Sequence, residues 1–139
     1  YGINNKDQEF PGIYNYYPEL EKQGVIIADW GSIVRDIVKG GVEVPGSTLE
    51  YNKRTFINTD EYHENPLGGY ITALTAFCAI TGAEAVGQPY DFCGDKSISD
   101  KFDLPKYKAA RGGDSNFIEV FASEEDMKGL QKMVDWLFM

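Results

Sequence analysis

Histidine is nearly missing from this chain: His63 is the only one in 139 residues, so any imidazole chemistry runs through that position. Cysteine is almost as scarce. Cys78 and Cys93 allow one disulfide, which would close a loop of useful length, although Cys78 lies in an apolar helical run where a buried free thiol is the plainer reading. Basic charge is also short, with 13 Lys and Arg against 22 Asp and Glu and a formal net charge of -9. With no Lys or Arg cluster to offset it, that balance repels phosphate backbones and anionic head groups, so neither nucleic acid nor a membrane surface is an expected partner. The longest apolar stretch, Ile71 to Ile80, is broken by Thr72 and Thr75 and is far too short for a bilayer span.

Other absences narrow the field further. No phosphate-cradling glycine loop or dinucleotide fingerprint occurs, because the glycine pairs fall at helix ends or turns, and no cofactor is expected. A metal centre needs several ligands at coherent spacing, and only Asp60, Glu61, His63 and Glu64 cluster, so none is expected. There is no internal repeat and no low-complexity tract. The first residue is Tyr1 and the opening stretch lacks a signal-peptide pattern, which suggests that a leader, an artificial boundary or a larger preceding part of the protein has been removed.

What is present is the composition of a globular protein, 42% hydrophobic, 14% aromatic and 25% charged, at a length suited to one folding unit over residues 1–139. The opening to Pro18 is aromatic and turn-rich, with no safe helix or strand. Val25-Ile26-Ile27-Ala28 is β-branched and continuous, which suits a strand buried on both faces of a parallel sheet. Ser32 then opens a helix with Ile33, Val34, Ile37 and Val38 on one side, ended by Gly40 and Gly41. Residues 42–55 read as a loop turning at Pro45-Gly46, with room for a short strand near Val42 to Val44. The firmest helix is Leu67 to Thr81, closed by Gly82. Small residues at Gly69, Ala73, Ala76 and Ala79 imply close packing on more than one side. Residues 83–116 lack a clear period and read as a long surface excursion. From Ser123, a capping box leads an amphipathic helix with Met127, Leu130, Met133, Val134 and Leu137 inward.

The chemistry concentrates at Asp60-Glu61-Tyr62-His63. An aspartate three residues before a histidine, on a turn entering a helix, can hold one ring nitrogen and leave the other to accept a proton from a nucleophile. A lone histidine at a helix start is also commonly a cap or a satisfied surface residue. Tyr62 is the neighbour best placed to touch a substrate. Trp30, after Asp29, could line a cleft at the end of the buried strand or pack in the core. Gly113-Asp114-Ser115 spells a nucleophile motif, but the preceding residues 106–111 are basic and polar, whereas a nucleophilic serine needs a buried strand running into a tight turn. It reads as a surface loop.

The block Asp60-Glu61-Tyr62-His63, followed by Gly68-Gly69-Tyr70 and an Ala-rich helix, resembles the last conserved block of SGNH-type (GDSL-like) hydrolases. The wider stretch from Ile27-Ala28-Asp29-Trp30-Gly31 through Tyr51-Asn52-Lys53, Gly69-Tyr70-Ile71 and Ala79-Ile80-Thr81-Gly82 to Val86-Gly87-Gln88-Pro89-Tyr90 is similar to bacterial SGNH-like proteins of uncharacterised function. It covers most of the chain.

The resemblance implies an α/β fold, the C-terminal portion of a three-layer α/β/α (flavodoxin-like) sandwich with a parallel sheet. It also implies a Ser-His-Asp ester hydrolase in which Asp60 orients His63 and His63 is the general base and acid. The family's serine, in a Gly-Asp-Ser block, and its oxyanion-hole residues precede this region. The expected partner is therefore an N-terminal serine-bearing segment or chain of the same protein, and the expected substrate a small-molecule or glycan ester. Many members have proline after the histidine, where this chain has Glu64, whose charge would act on the imidazole or on a substrate. Secretion from a bacterium is the expected localisation. The alternative is a non-catalytic binding or structural module derived from the same fold.

Overall fold

The computed structural model describes residues 11–39, 41–57, 63–90 and 122–139, with the side chains of 11–15 excepted. Five helices follow in chain order: α1 (Pro11–Lys22), α2 (Trp30–Val38), α3 (Lys53–Phe56), α4 (Pro66–Thr81) and α5 (Glu124–Trp136). α4 packs against α2, α3 and α5, and α2 also packs against α5. Among the described residues the only β pairing is one isolated antiparallel bridge between Ile57 and Glu64.

The expectation of an α/β/α sandwich with a parallel sheet is therefore corrected: the described residues form a helical assembly without a sheet. The reason lies around Val25. α1 ends just before Gly24, whose φ of 79° is the left-handed turn that glycine accepts, and Asp29 already caps α2. Residues 25–29 are thus only a connection between two helices. A β-branched run becomes a strand when a neighbour completes its ladder and covers its faces. No described segment pairs with Val25 and Ile26, and both are exposed, Ile26 at 64%. The room for a strand near Val42 to Val44 is likewise unused.

Each helix has a local cause. Pro11 begins α1 at the position where a missing N–H costs nothing, so a helix occupies part of a stretch in which none was expected. In α2 the cap is Asp29 rather than Ser32: the Asp29 carboxylate accepts from Ser32 N at 3.2 Å and from the Ser32 hydroxyl. The short α3, read as loop from sequence, is set by Asn52. Asn52 Oδ1 accepts from Arg54 N at 2.8 Å, while Thr55 Oγ1 accepts from Asn52 N at 3.0 Å. α4 starts at Asn65-Pro66 and ends at Gly82 with φ 71°. α5 has the expected box, with Ser123 and Asp126 each accepting the other's backbone N–H.

The core joins Ile33, Val34 and Ile37 of α2 to Phe56, to Leu67, Tyr70, Ile71 and Leu74 of α4, and to Met127, Leu130, Met133 and Val134 of α5. Two polar anchors tie loops to α5. The buried Asp126 carboxylate accepts from Ser47 Oγ (2.6 Å), Thr48 N (2.9 Å) and Leu49 N (3.2 Å). Burial, the largest single influence, would raise its pKa, but the bonds from Ser47, Ser123 and Thr48 outweigh it and hold the carboxyl down at about 2. Tyr51 OH shares a 2.7 Å hydrogen bond with Ser47 Oγ, and its own pKa is pushed up to about 12, mainly by burial. The second anchor is the buried Gln131, which donates to Tyr70 OH (2.9 Å) and Gln88 O (2.7 Å) and accepts from Gly87 N (3.1 Å). Asp135 accepts beside it from Ala85 N and Val86 N.

Candidate functional site around His63

His63 sits at the entry to α4, where the chain returns against the end of α3. His63 is exposed, while Asn65, Leu67 and Gly68, two to five residues further on, are buried. The return is fixed by the bridge between Ile57 and Glu64 and by Asn65 N donating to Phe56 O at 2.9 Å.

The side chain of Asn65 does the rest. A four-residue helix such as α3 satisfies few of its own carbonyls. Lys53 O accepts from Ile57 N at 2.9 Å, and the next two carbonyls, Arg54 O and Thr55 O, accept from Asn65 Nδ2 at 3.0 and 2.8 Å. Asn65 Oδ1 meanwhile accepts from Gly68 N at 2.9 Å, capping α4. One buried amide, 2% exposed, therefore caps the end of one helix and the start of the next. Gly68 permits the approach, since a Cβ there would overlap Phe56 O and lie 3.0 Å from Glu64 Cβ.

Of the residues expected to act, His63 and Glu64 lie side by side on this turn. Glu64 is half-buried, and its Oε1 accepts from Thr72 Oγ1 at 3.4 Å, a long contact that leans it along the first turns of α4. Trp30 opens α2 and packs, half-buried, against the apolar core, in line with the packing role open to it from sequence. Asp60 and Tyr62 lie outside the described residues, as do Cys93 and Gly113-Asp114-Ser115. Cys78 is a buried free thiol whose pKa burial raises, with the Asp135 charge adding to the effect.

Among the described residues no group of three or more His, Cys, Asp or Glu side chains could hold a metal ion, and no helix is long and apolar enough to cross a membrane. Sequence reading missed the roles of Asn65 as a double cap and of Gly68 as the point of close approach. Asn-Pro before an apolar helix does signal a cap, but nothing local reveals that the amide's two hydrogens face the carbonyls of a preceding helix.

Comparison of the chain with protein-family models, curated proteins and solved structures gives no match.

Proposed function

We propose that this chain supplies the acid-base half of a serine esterase, with His63 as the proton carrier and Asp60 as the carboxylate that orients it. The observation that carries this reading is an exposed histidine two residues before Asn65, whose buried side chain is hydrogen-bonded both to α3 and to the start of α4. General base catalysis needs that combination, because the ring must meet a substrate while its position is fixed by the surrounding structure.

The reaction would run in two steps. His63 takes the hydroxyl proton of a serine as the serine oxygen attacks the ester carbonyl, then returns it to the departing alcohol, leaving an acyl-serine. Water repeats the sequence and releases the acid. The serine belongs to a partner segment or chain of the same protein, and the substrate is a carboxylic ester, with acylated glycans the preferred class. A requirement for further polypeptide is supported by α4, which bears no charged residue yet leaves Phe77 and Ile80 exposed at 44% and 79%.

The test is hydrolysis of p-nitrophenyl acetate by the protein with its serine-bearing segment, by its His63→Ala variant and by the 139-residue chain alone. The expected pattern is activity in the first and none in the other two. Activity in the isolated chain would turn attention to Ser115. Inactivity of the full protein toward this and glycan acetyl esters would favour the non-catalytic module.

A further inference from the structure

We infer that Asn65 is the positioning residue of this site, setting where the His63 imidazole stands; this rests on the esterase reading. The basis is that both hydrogens and the oxygen of this buried amide are engaged, each in a separate bond. Its two Nδ2 hydrogens go to Arg54 O and Thr55 O, its Oδ1 to Gly68 N, and its backbone N–H to Phe56 O.

Each of these bonds has an anchor in a different part of the turn. The donors hold the turn to α3, and the acceptor holds it to α4, so the two backbone positions preceding Asn65 inherit their place from both helices. A plain helix cap needs only the acceptor, which serine and aspartate provide about as well as asparagine. The pair of donors is what asparagine adds, and it faces α3, away from the helix being capped. That extra function fixes the relation between the two helices at the point where His63 emerges. Asn65 touches no reacting atom and acts only through His63.

Asn65→Ser separates the two roles, because serine keeps the cap of α4 and loses the link to α3. In the protein with its serine-bearing segment, this variant should lose about 10- to 100-fold in kcat with KM changed by less than about two-fold, as expected for a displaced proton carrier. Val44→Ala, a buried truncation at the α5 contact, serves as the control for lost stability and should leave kcat within about two-fold. Unchanged kcat in Asn65→Ser, or an equal loss in Val44→Ala, overturns the inference.

A second readout does not need activity. His63 gives the chain's single histidine Cε1–H resonance in proton NMR. It should be one sharp line in the parent chain and shifted, split or broadened in Asn65→Ser. If the full protein hydrolyses no ester, the esterase reading falls, and this resonance then decides the positioning role alone, an unchanged line overturning it. Should the serine variant fail to fold, hydrogen exchange in the unaltered chain takes its place. The Asn65 amide should exchange at least about 100-fold slower than an exposed amide, and fast exchange sinks the inference.

Discussion

α4 and α5 are neighbours in one core and opposites in design. α5 is amphipathic: Met127, Leu130, Met133 and Val134 are buried, while Glu124, Glu125, Lys128 and Lys132 are exposed. α4 carries no charge anywhere, buries Leu67, Tyr70, Ile71, Leu74 and Cys78, and still shows solvent a sector with Ala73, Phe77 and Ile80. The first is a finished surface helix. The second has the character of a helix covered on all sides, which the described residues only partly provide. The difference teaches that stability and function can be read from different faces: α5 ties loops to the core, whereas α4 begins at the candidate site.

Truncating the buried sides tests whether both helices belong to one cooperative core. Ile71→Ala and Leu130→Ala, each at a fully buried position, should each cost about 2–5 kcal/mol, measured by urea unfolding. A loss at Leu130 without one at Ile71 would show that α4 is not held as described.

The anchor on α5 predicts a pH dependence that α4 lacks. The Asp126 carboxyl is lowered in the folded chain from 3.8 to about 2, so as pH falls the unfolded chain takes up this proton first. The stabilisation is complete above the unfolded pKa and is lost as pH drops through the folded one. At about 1.4 kcal/mol per unit the difference amounts to about 2 kcal/mol. Urea unfolding between about pH 6 and pH 2.5 should show most of this loss in the parent and lack it in Asp126→Asn.

A smaller effect compares one glycine on each helix. A Cβ at Gly129 would overlap Pro45 O, as one at Gly68 would overlap Phe56 O. Gly→Ala at either place should cost about 1–2 kcal/mol net, crowding outweighing the gain in helix propensity. Only Gly68→Ala should also perturb the His63 NMR resonance.

The smallest expected effect lies on the open sector of α4. Ile80, 79% exposed, should tolerate Ile80→Lys within about 0.5 kcal/mol in the isolated chain. A greater loss would mean that this sector is already covered, and the contrast with α5 would narrow.

The two long helices were legible because their signals are local and repeated. Apolar spacing from Leu67 and from Met127, with Gly82 and Ser123 at the ends, needs no distant partner to be understood. Val25-Ile26-Ile27-Ala28 misled for the opposite reason: a buried strand is defined by its neighbours, and the residues themselves state only that they are apolar and β-branched. α3 escaped notice because four residues carry no periodicity, and it is held by Asn52, Thr55 and Asn65 rather than by propensity. The exposure of His63 agrees with a role at a surface, but the double use of Asn65 joins positions 10 and 11 residues apart through geometry alone.

The Asp126 anchor also bears on the order in which the protein can be made. Its carboxylate is separated by 77 to 79 residues from the donors at Leu49, Thr48 and Ser47. A ribosome therefore delivers α2, α3 and α4 well before the helix that closes the core over them. Until α5 emerges, the nascent chain carries Ile33, Ile71 and their neighbours without their cover, so this is the interval in which a chaperone would be needed most.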